Sequence, residues 1–331
     1  MNRNVLRKLA GFAVSACAIF VLTQADTSGV SGLAPVQHAR VWVHRNDDGT
    51  LKHGVRNEVE TSNWSGYAVA SYATGTMYNS AQASWRVPKA SYALPPSVCH
   101  IYQFGTFSFQ YCSGSRPQWE YSSSWVGIGG YCENANCTSV DNTLIQLGTE
   151  QDASSGFATQ YYAWIEMLPN YQLVVSPSYP NCNALSCAYP VRPGDAITAS
   201  LTCQSNCRSP GQEQSWLLTM SDTSQNWTFS TTVTYQSSLL SAVWIQEAPS
   251  SSSGVLPLAQ FTTATFNPQD NVGSSPNFPN VQPGASTSDA ILMVDPYGET
   301  SNPSMADAGK LDTFNACWGN NASNIAACGE P

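Results

Sequence analysis

The sequence predicts an all-β protein with a sandwich architecture, and three observations support this. Charged residues make up only 11% of the chain, against about 25% in an ordinary domain. Serine, threonine and aromatic residues take their place, as is typical of strands with one solvated face. From residue 62 onward, apolar and polar residues alternate with period two between closely spaced turn residues, and no segment has a helical stripe.

The amino terminus predicts export. Arg3, Arg7 and Lys8 precede an apolar run over residues 9–22, and small residues follow up to Ala25. This pattern is typical of a secretory signal peptide over residues 1–25. The run is shorter than the roughly 20 residues that cross a bilayer, so we expect a secreted, extracellular protein with no membrane contact in its mature form.

Residues 26–57 differ in composition from the rest of the chain. They contain four basic residues and three of the four histidines and show little strand periodicity, whereas residues 58–331 carry a net charge of −13. The segment is either a linker or a basic pro-segment that covers an acidic surface until it is removed. The negative charge argues against nucleic acid as a partner.

Residues 58–331 predict one β-sandwich domain without an internal repeat. Two stretches, 92–121 and 267–289, lack periodicity and are expected to be irregular. Twelve strands are expected, over residues 63–71, 77–87, 123–129, 143–149, 160–168, 171–175, 195–202, 215–220, 226–235, 242–247, 258–266 and 290–294.

The cysteines predict local disulfides. Ten remain after the signal peptide, an even number that suits an oxidising compartment. No CxxC pair and no HExxH motif is present, so we expect neither a metal nor a cofactor. The expected pairs are Cys99/Cys112, Cys132/Cys137, Cys182/Cys187, Cys203/Cys207 and Cys317/Cys328.

Several catalytic mechanisms are disfavoured because their residues are missing. A Ser-His-Asp or Cys-His site needs an imidazole base, and beyond residue 53 the sequence contains only His100. GxSxG, the P-loop and the paired Asp-Thr/Ser-Gly turns of pepsin-like peptidases are absent as well. Hydrolytic chemistry in this chain would therefore depend on carboxylates and amides.

Three polar residues lie on otherwise apolar faces of expected strands. Strand alternation places Gln146 with Leu144 and Gly148, Glu166 with Tyr162, Trp164 and Leu168, and Glu247 with Val243 and Ile245. A buried amide or carboxyl without a partner is costly. These groups therefore pair with one another, meet a ligand in a groove, or lie at a solvated sheet edge.

An ordered set of motifs resembles the eqolisin family, the glutamic peptidases, and spans about residues 62–318. The motifs are SNWSGYA from Ser62, WVGIGG from Trp125, LIQLG from Leu144, AWIEMLP from Ala163, PGD from Pro193, AVWIQE from Ala242, and the closing segments 291–295 and 314–318.

The resemblance implies an antiparallel two-sheet β-sandwich of the jelly-roll or concanavalin-like kind that cleaves protein and peptide substrates in acid. It places the catalytic dyad on Gln146 and Glu247, and supporting or substrate-binding residues on Glu166, Trp64, Trp125 and Trp164. Where the family usually has Asp, this chain has Gly129. We expect a monomer.

Two other functions fit the same residues. A jelly-roll glycoside hydrolase would use Glu166 and Glu247 as its carboxyl pair, with no role for Gln146. A non-catalytic glycan-binding module would use the aromatic residues for stacking and would show no turnover.

Overall fold

The computed structural model describes residues 36–93, 99–104, 107–112, 118–175, 188–267, 287–307, 312–319 and 328–329. Within these residues the chain is almost entirely β, with one helical turn, α1 (Ser71–Thr74). In this described part no helix is long and apolar enough to cross a membrane.

The strands are short and follow one another closely. In chain order they are β1 (Val59–Thr61), β2 (Trp64–Ala70), β3 (Ser80–Arg86), β4 (Ala90–Ser91), β5 (Cys99–Phe104), β6 (Phe107–Cys112), β7 (Trp119–Gly129), β8 (Leu144–Ser154), β9 (Gln160–Met167), β10 (Leu173–Val174), β11 (Ala196–Ser205), β12 (Gln214–Asp222), β13 (Trp227–Tyr235), β14 (Ser241–Glu247), β15 (Ser250–Ser251), β16 (Gly254–Val255), β17 (Gln260–Phe261), β18 (Ala264–Phe266), β19 (Ser288–Val294), β20 (Thr300–Pro303) and β21 (Phe314–Gly319).

Fifteen of these strands form one continuous sheet. Its order is β10-β9-β8-β7-β14-β2-β19-β20-β21-β18-β3-β11-β12-β13, and β1 adds to β19. The β1–β19 pair is parallel, and the pairs along the path are antiparallel, as in β7–β8 and β14–β2. The other six strands form three two-stranded sheets.

The long sheet folds over so that its two halves pack face to face. Strand β3 contacts β7 and β14, and β11 contacts β7 and β8. The core between the halves includes Val126 and Ile128 of β7, Trp85 of β3, and Leu218 of β12. Burial of this apolar surface is the main force that holds the halves together. The expected antiparallel β-sandwich is confirmed.

A second apolar cluster lies on the opposite face of the half that contains β2, β14, β7, β8 and β9. It includes Trp64, Trp125, Trp164 and Leu144, together with Val41 from the segment before β1. Strand alternation explains the separation: Trp125 and Val126 are adjacent in sequence and point to opposite faces. We call this outer face the groove face.

The expected strands are largely present, but the structure differs from the expectation in several places. Strands that were not expected are β1, β4, β15, β16, β20 and β21. Strand β7 begins at Trp119 and β8 extends to Ser154. The expected strand over 258–266 is two short strands. The stretch 92–121 is not irregular throughout, because β5 and β6 form an antiparallel hairpin within it. Residues 268–286 lie outside the described residues.

Three of the expected disulfides are present, each closing a short loop: Cys132–Cys137, Cys203–Cys207 and Cys317–Cys328. Cys99 and Cys112 face each other as register partners in the β5–β6 hairpin. Cys182 and Cys187 lie outside the described residues.

Candidate active site

Strand register brings the sequence-predicted residues onto the groove face. Gln146 of β8 is paired with Glu166 of β9. Glu247 ends β14 and is paired with Trp64 of β2 on one side and Ser123 of β7 on the other. The side chains of Gln146, Glu166 and Glu247 are fully buried.

Two glycines let the indoles of the groove face approach the sheet. Gly148 lies between Trp125 and Trp164 in the register. A Cβ atom on Gly148 would lie 2.5 Å from Trp125 Cβ and 2.8 Å from Trp164 Cζ2. A Cβ on Gly127 would lie 3.1 Å from Trp125 Cζ3. The missing side chains therefore make room for the two rings.

Indole N–H groups hold the Glu247 carboxyl. Trp125 Nε1 donates to Oε2 at 2.8 Å, and Trp64 Nε1 lies 3.3 Å from Oε1. The two tryptophans meet edge to face, with ring centroids 5.1 Å apart. Burial raises the pKa of Glu247 well above its usual range, the charge of Glu166 adds to this, and the indole hydrogen bonds oppose it.

Gln146 and Glu166 form a second polar pair. Gln146 Nε2 lies 3.2 Å from Glu166 Oε2. Burial raises the pKa of Glu166, whereas its hydrogen bonds from the His38 amide and Gln146 lower it. Gln146 Oε1 and Glu166 Oε1 are buried and have no hydrogen-bond partner among the described residues. The amide oxygen of Gln146 is therefore free to hold a water or a substrate group.

Residues 36–42, which we call the strap, cross the groove face and join the two polar pairs. Gln146 Nε2 donates to the His38 carbonyl oxygen at 2.8 Å. His38 Nδ1 lies 3.0 Å from Glu247 Oε2. The His38 amide N–H donates to Glu166 Oε2 at 2.8 Å. One residue of the strap thus contacts both members of the expected dyad.

Sequence reasoning missed His38, because it belongs to the segment that was set aside as a linker or pro-segment. Its contact with Glu247 spans 209 positions of sequence, and no local pattern reports such a contact. Burial lowers the pKa of His38 from 6.5 to about 3, with a smaller opposing effect from its hydrogen bond to Gln172. The buried imidazole is therefore neutral.

Glu150 and Asp152 are two further acidic residues on the groove face of β8. They follow Gln146 at even spacing, so strand alternation could have found them. Both are fully buried. Burial raises the pKa of Glu150 well above its usual range, and its neighbour Asp152 adds to this. Burial also raises the pKa of Asp152 to about 7.

At Gly129, where the resemblance implies an Asp, the chain has no room for a side chain. Gly129 has φ +97°, and a Cβ atom there would lie 2.2 Å from the Thr143 carbonyl oxygen. Asp141 Oδ2 lies 3.0 Å from that Cβ position. A carboxyl group is thus present at this place, supplied by the neighbouring loop.

An antiparallel β-sandwich with a carboxyl and an amide in an indole-lined groove is the architecture expected of a glutamic peptidase. The comparisons agree: the chain belongs to the Peptidase A4 family, whose match covers residues 62–289. It is a glutamic endopeptidase.

One solved structure is similar over most of the chain. It is scytalido-glutamic peptidase with a peptide-based transition-state analogue, at 18% identity and a TM-score of 0.49, covering 78% of this chain and 98% of that chain. Comparison with curated proteins gave no match. Family membership favours the peptidase over the glycoside hydrolase and the glycan-binding module.

Proposed function

We propose that this protein is a secreted, acid-acting endopeptidase in which Glu247 and Gln146 are the catalytic dyad. The observation that carries the proposal is that both groups contact one residue of the strap. The Gln146 amide N–H binds the His38 carbonyl oxygen at 2.8 Å, and Glu247 Oε2 lies 3.0 Å from the His38 imidazole Nδ1. A substrate peptide bound like the strap would place a carbonyl oxygen on Gln146 and would lie beside Glu247.

In the proposed reaction, Glu247 as a carboxylate accepts a proton from a water molecule, which attacks the scissile carbonyl carbon. Gln146 Nε2 donates a hydrogen bond to the oxyanion that forms. Glu247 then returns the proton to the leaving amine as the C–N bond breaks. General acid–base catalysis contributes about 10²–10⁴-fold, and an oxyanion donor about 3–4 kcal/mol. No cofactor takes part.

The surroundings of Glu247 support activity in acid. Its two indole donors favour the ionised form. Burial beneath the strap raises its pKa, and this effect is relieved when water enters an open groove. The carboxylate that starts the reaction would then persist at acidic pH. We assign Glu166 a supporting role beside Gln146, and Trp64, Trp125 and Trp164 a role in lining the bound peptide.

We also propose that residues 26–57 are a pro-segment and that its strap keeps the enzyme inactive. His38 Nδ1 lies within hydrogen-bonding distance of Glu247 Oε2, at the place that the attacking water would need. Lys52 and His44 pair with Glu60 at 2.6 and 2.8 Å, which holds the segment on the acidic domain. Residues 1–25 are proposed to be the signal peptide of the secreted chain.

Substitution of the dyad tests the proposed reaction. We expect Glu247→Gln to abolish hydrolysis of a denatured protein at acidic pH, and Gln146→Ala to lower turnover about a hundredfold or more. Glu166→Gln should cost less. Exposed Glu213 offers a matched carboxyl-to-amide control, and Glu213→Gln should retain full activity. Circular dichroism confirms folding, and full activity in folded Gln146→Ala would exclude the dyad.

Amino-terminal sequencing of the protein from culture medium tests the pro-segment. We expect active material to begin beyond the strap, because the docked strap fills the site. Fully active material that begins near residue 26 would overturn this proposal and leave the linker as the explanation of residues 26–57.

A further inference from the structure

The strap places one of its own peptide bonds at the proposed dyad. The carbonyl oxygen of the bond between His38 and Ala39 accepts a hydrogen bond from Gln146 Nε2 at 2.8 Å. On the other side of this bond, Trp64 Nε1 donates to the Ala39 carbonyl oxygen at 3.0 Å, and the same Nε1 lies 3.3 Å from Glu247 Oε1. The His38–Ala39 bond therefore lies between the proposed oxyanion donor and the proposed general base.

Main-chain hydrogen bonds hold the strap on both sides of this bond. Gln37 exchanges two backbone hydrogen bonds with Ser250, each of 2.8 Å, and Val41 N–H donates to the Gly130 carbonyl oxygen at 2.9 Å. Contacts of this kind bind a peptide through its backbone and leave its side chains free to vary. A smaller side chain in place of that of His38 therefore leaves them intact.

The side chain of His38 occupies the space in which Glu247 would hold the attacking water. Its Nδ1 lies 3.0 Å from Glu247 Oε2, and its ring stacks on Trp164 with centroids 3.6 Å apart. Nδ1 is joined to the carbonyl carbon of its own residue through Cγ, Cβ and Cα alone, so the ring lies beside the carbon that a water would attack. The bond at the dyad and the group that blocks its hydrolysis thus belong to the same residue.

The space that the imidazole fills is lined by polar atoms. Besides Glu247 Oε2, it is bordered by Gln172 Oε1, 3.2 Å from His38 Nε2, and by Glu150 Oε2, 3.4 Å from the same nitrogen. A buried water molecule makes about two to four hydrogen bonds to such groups. With a small side chain at position 38, water can therefore enter and reach Glu247.

We infer that the strap is bound in the register of a substrate and that the His38 side chain protects the His38–Ala39 bond from hydrolysis, so that a strap with a small side chain at position 38 becomes a substrate. The inference rests on the proposed function, since Gln146 and Glu247 define which bond is at the site. Without the imidazole, Glu247 accepts a proton from water, whose oxygen bonds to the carbonyl carbon of residue 38. The C–N bond to Ala39 breaks, and the proton passes to the leaving amine. The products are a carboxylic acid at residue 38 and an amine at Ala39.

The first test compares full-length His38→Ala with the parent and with Arg40→Ala at acidic pH. We expect His38→Ala to form a new amino terminus at Ala39 about a hundredfold or more faster than the parent, because a general base contributes at least that factor. The Arg40 side chain is exposed, so Arg40→Ala should keep the bond intact, as should the double variant His38→Ala/Glu247→Gln. Mass spectrometry identifies the terminus, and circular dichroism confirms folding.

Synthetic peptides test the same inference without a change to the protein. Peptides of residues 36–43 with His or Ala at position 38 are added to the acid-activated parent while it hydrolyses a denatured protein. We expect the His peptide to inhibit competitively and to remain intact, because its imidazole blocks Glu247. The Ala peptide should be cut after position 38.

The outcomes separate the inference from the proposed function. A parent protein that hydrolyses neither a denatured protein nor the Ala peptide overturns the proposed function, and the inference with it. A parent protein that hydrolyses the denatured protein but spares the Ala peptide, or a folded His38→Ala protein whose bond stays intact, overturns the inference alone. A His peptide that is cut as fast as the Ala peptide, or cleavage after residue 38 in the double variant, also overturns it.

Discussion

Gly148 lies where the packing of the groove face leaves no space for a side chain. A Cβ atom there would lie 2.6 Å from the backbone carbonyl oxygen of Ser124, as well as against both flanking indoles. Overpacking of this kind costs about 1–3 kcal/mol. It also displaces Trp125, whose Nε1 donates to Glu247.

We therefore expect Gly148→Ala to lower both the melting temperature and the turnover. Gly156 is a matched control, because no atom lies within 4 Å of the position of its added Cβ. Gly156→Ala should leave both quantities unchanged. Thermal unfolding and peptide hydrolysis measured on the two variants decide the matter, and a Gly148→Ala protein equal to the parent in both would contradict the packing argument.

Asp141 connects two segments of the chain through its side-chain hydrogen bonds. Its carboxyl accepts hydrogen bonds from the Thr143 amide and hydroxyl at 2.8 and 2.9 Å and from the Ser238 hydroxyl. It thereby ties the loop before β8 to the segment before β14, the two strands that carry Gln146 and Glu247. The carboxyl near Gly129 therefore has a structural role in this chain.

At the scale of the element, the disulfides link strand ends and loops to nearby parts of the chain. Cys203–Cys207 closes the end of β11, and Cys317–Cys328 ties β21 to the chain that follows it. Cys132–Cys137 shapes the loop between β7 and β8, and the Cys137 carbonyl accepts a hydrogen bond from Arg45, in the segment before β1, at 2.5 Å.

Peptide mapping under non-reducing conditions should find these three pairs together with Cys99–Cys112 and Cys182–Cys187. The expectation for the last two rests on the even count and close spacing of the cysteines. A free thiol, or a bridge between members of different pairs, would contradict it.

Strands of the groove face such as β9 and β14 were predictable because they are short runs of aromatic and branched apolar residues in which a polar residue stands out. Gln146 on β8 and Glu247 on β14 have the apolar neighbours on their face that the sequence predicted. Hairpin β5–β6 was not predicted, because its residues show no clear alternation. The position of His38 depends on contacts across more than a hundred residues, and no local pattern contains that information.

At the scale of the whole molecule, the buried carboxyl groups of Glu120, Asp295 and Glu299 predict a protein that is stable in acid. Burial raises the pKa of Glu120 to about 8, of Asp295 to about 6 and of Glu299 to about 9. The folded state thus binds protons that the unfolded chain releases near pH 4–4.5. The contribution of these groups to stability is complete below that pH and is lost as pH rises through about 6 to 9.

We expect the melting temperature to fall as pH rises from 4 to 8. Neither carboxyl oxygen of Glu299 has a hydrogen bond within the described chain, so its neutral form is the one the fold accommodates. Glu299→Gln should therefore unfold at a higher temperature than the parent at pH 8 and at nearly the same temperature at pH 4. A parent curve that is flat over this range would contradict the argument.

The covalent connection between the strap and the domain determines whether occupancy of the groove by the strap depends on protein concentration. The strap continues without a break through residues 43–58 into β1, and this connection includes exposed turns at Asp47–Gly49 and at Val55. While the connection is intact, the strap is present at the groove at an effective concentration in the millimolar range, whatever the amount of protein in solution. A cut in either turn makes its return to the groove a bimolecular event. Occupancy of the groove then falls as the protein is diluted, so the same cut would free a larger fraction of the grooves in a dilute solution than in a concentrated one.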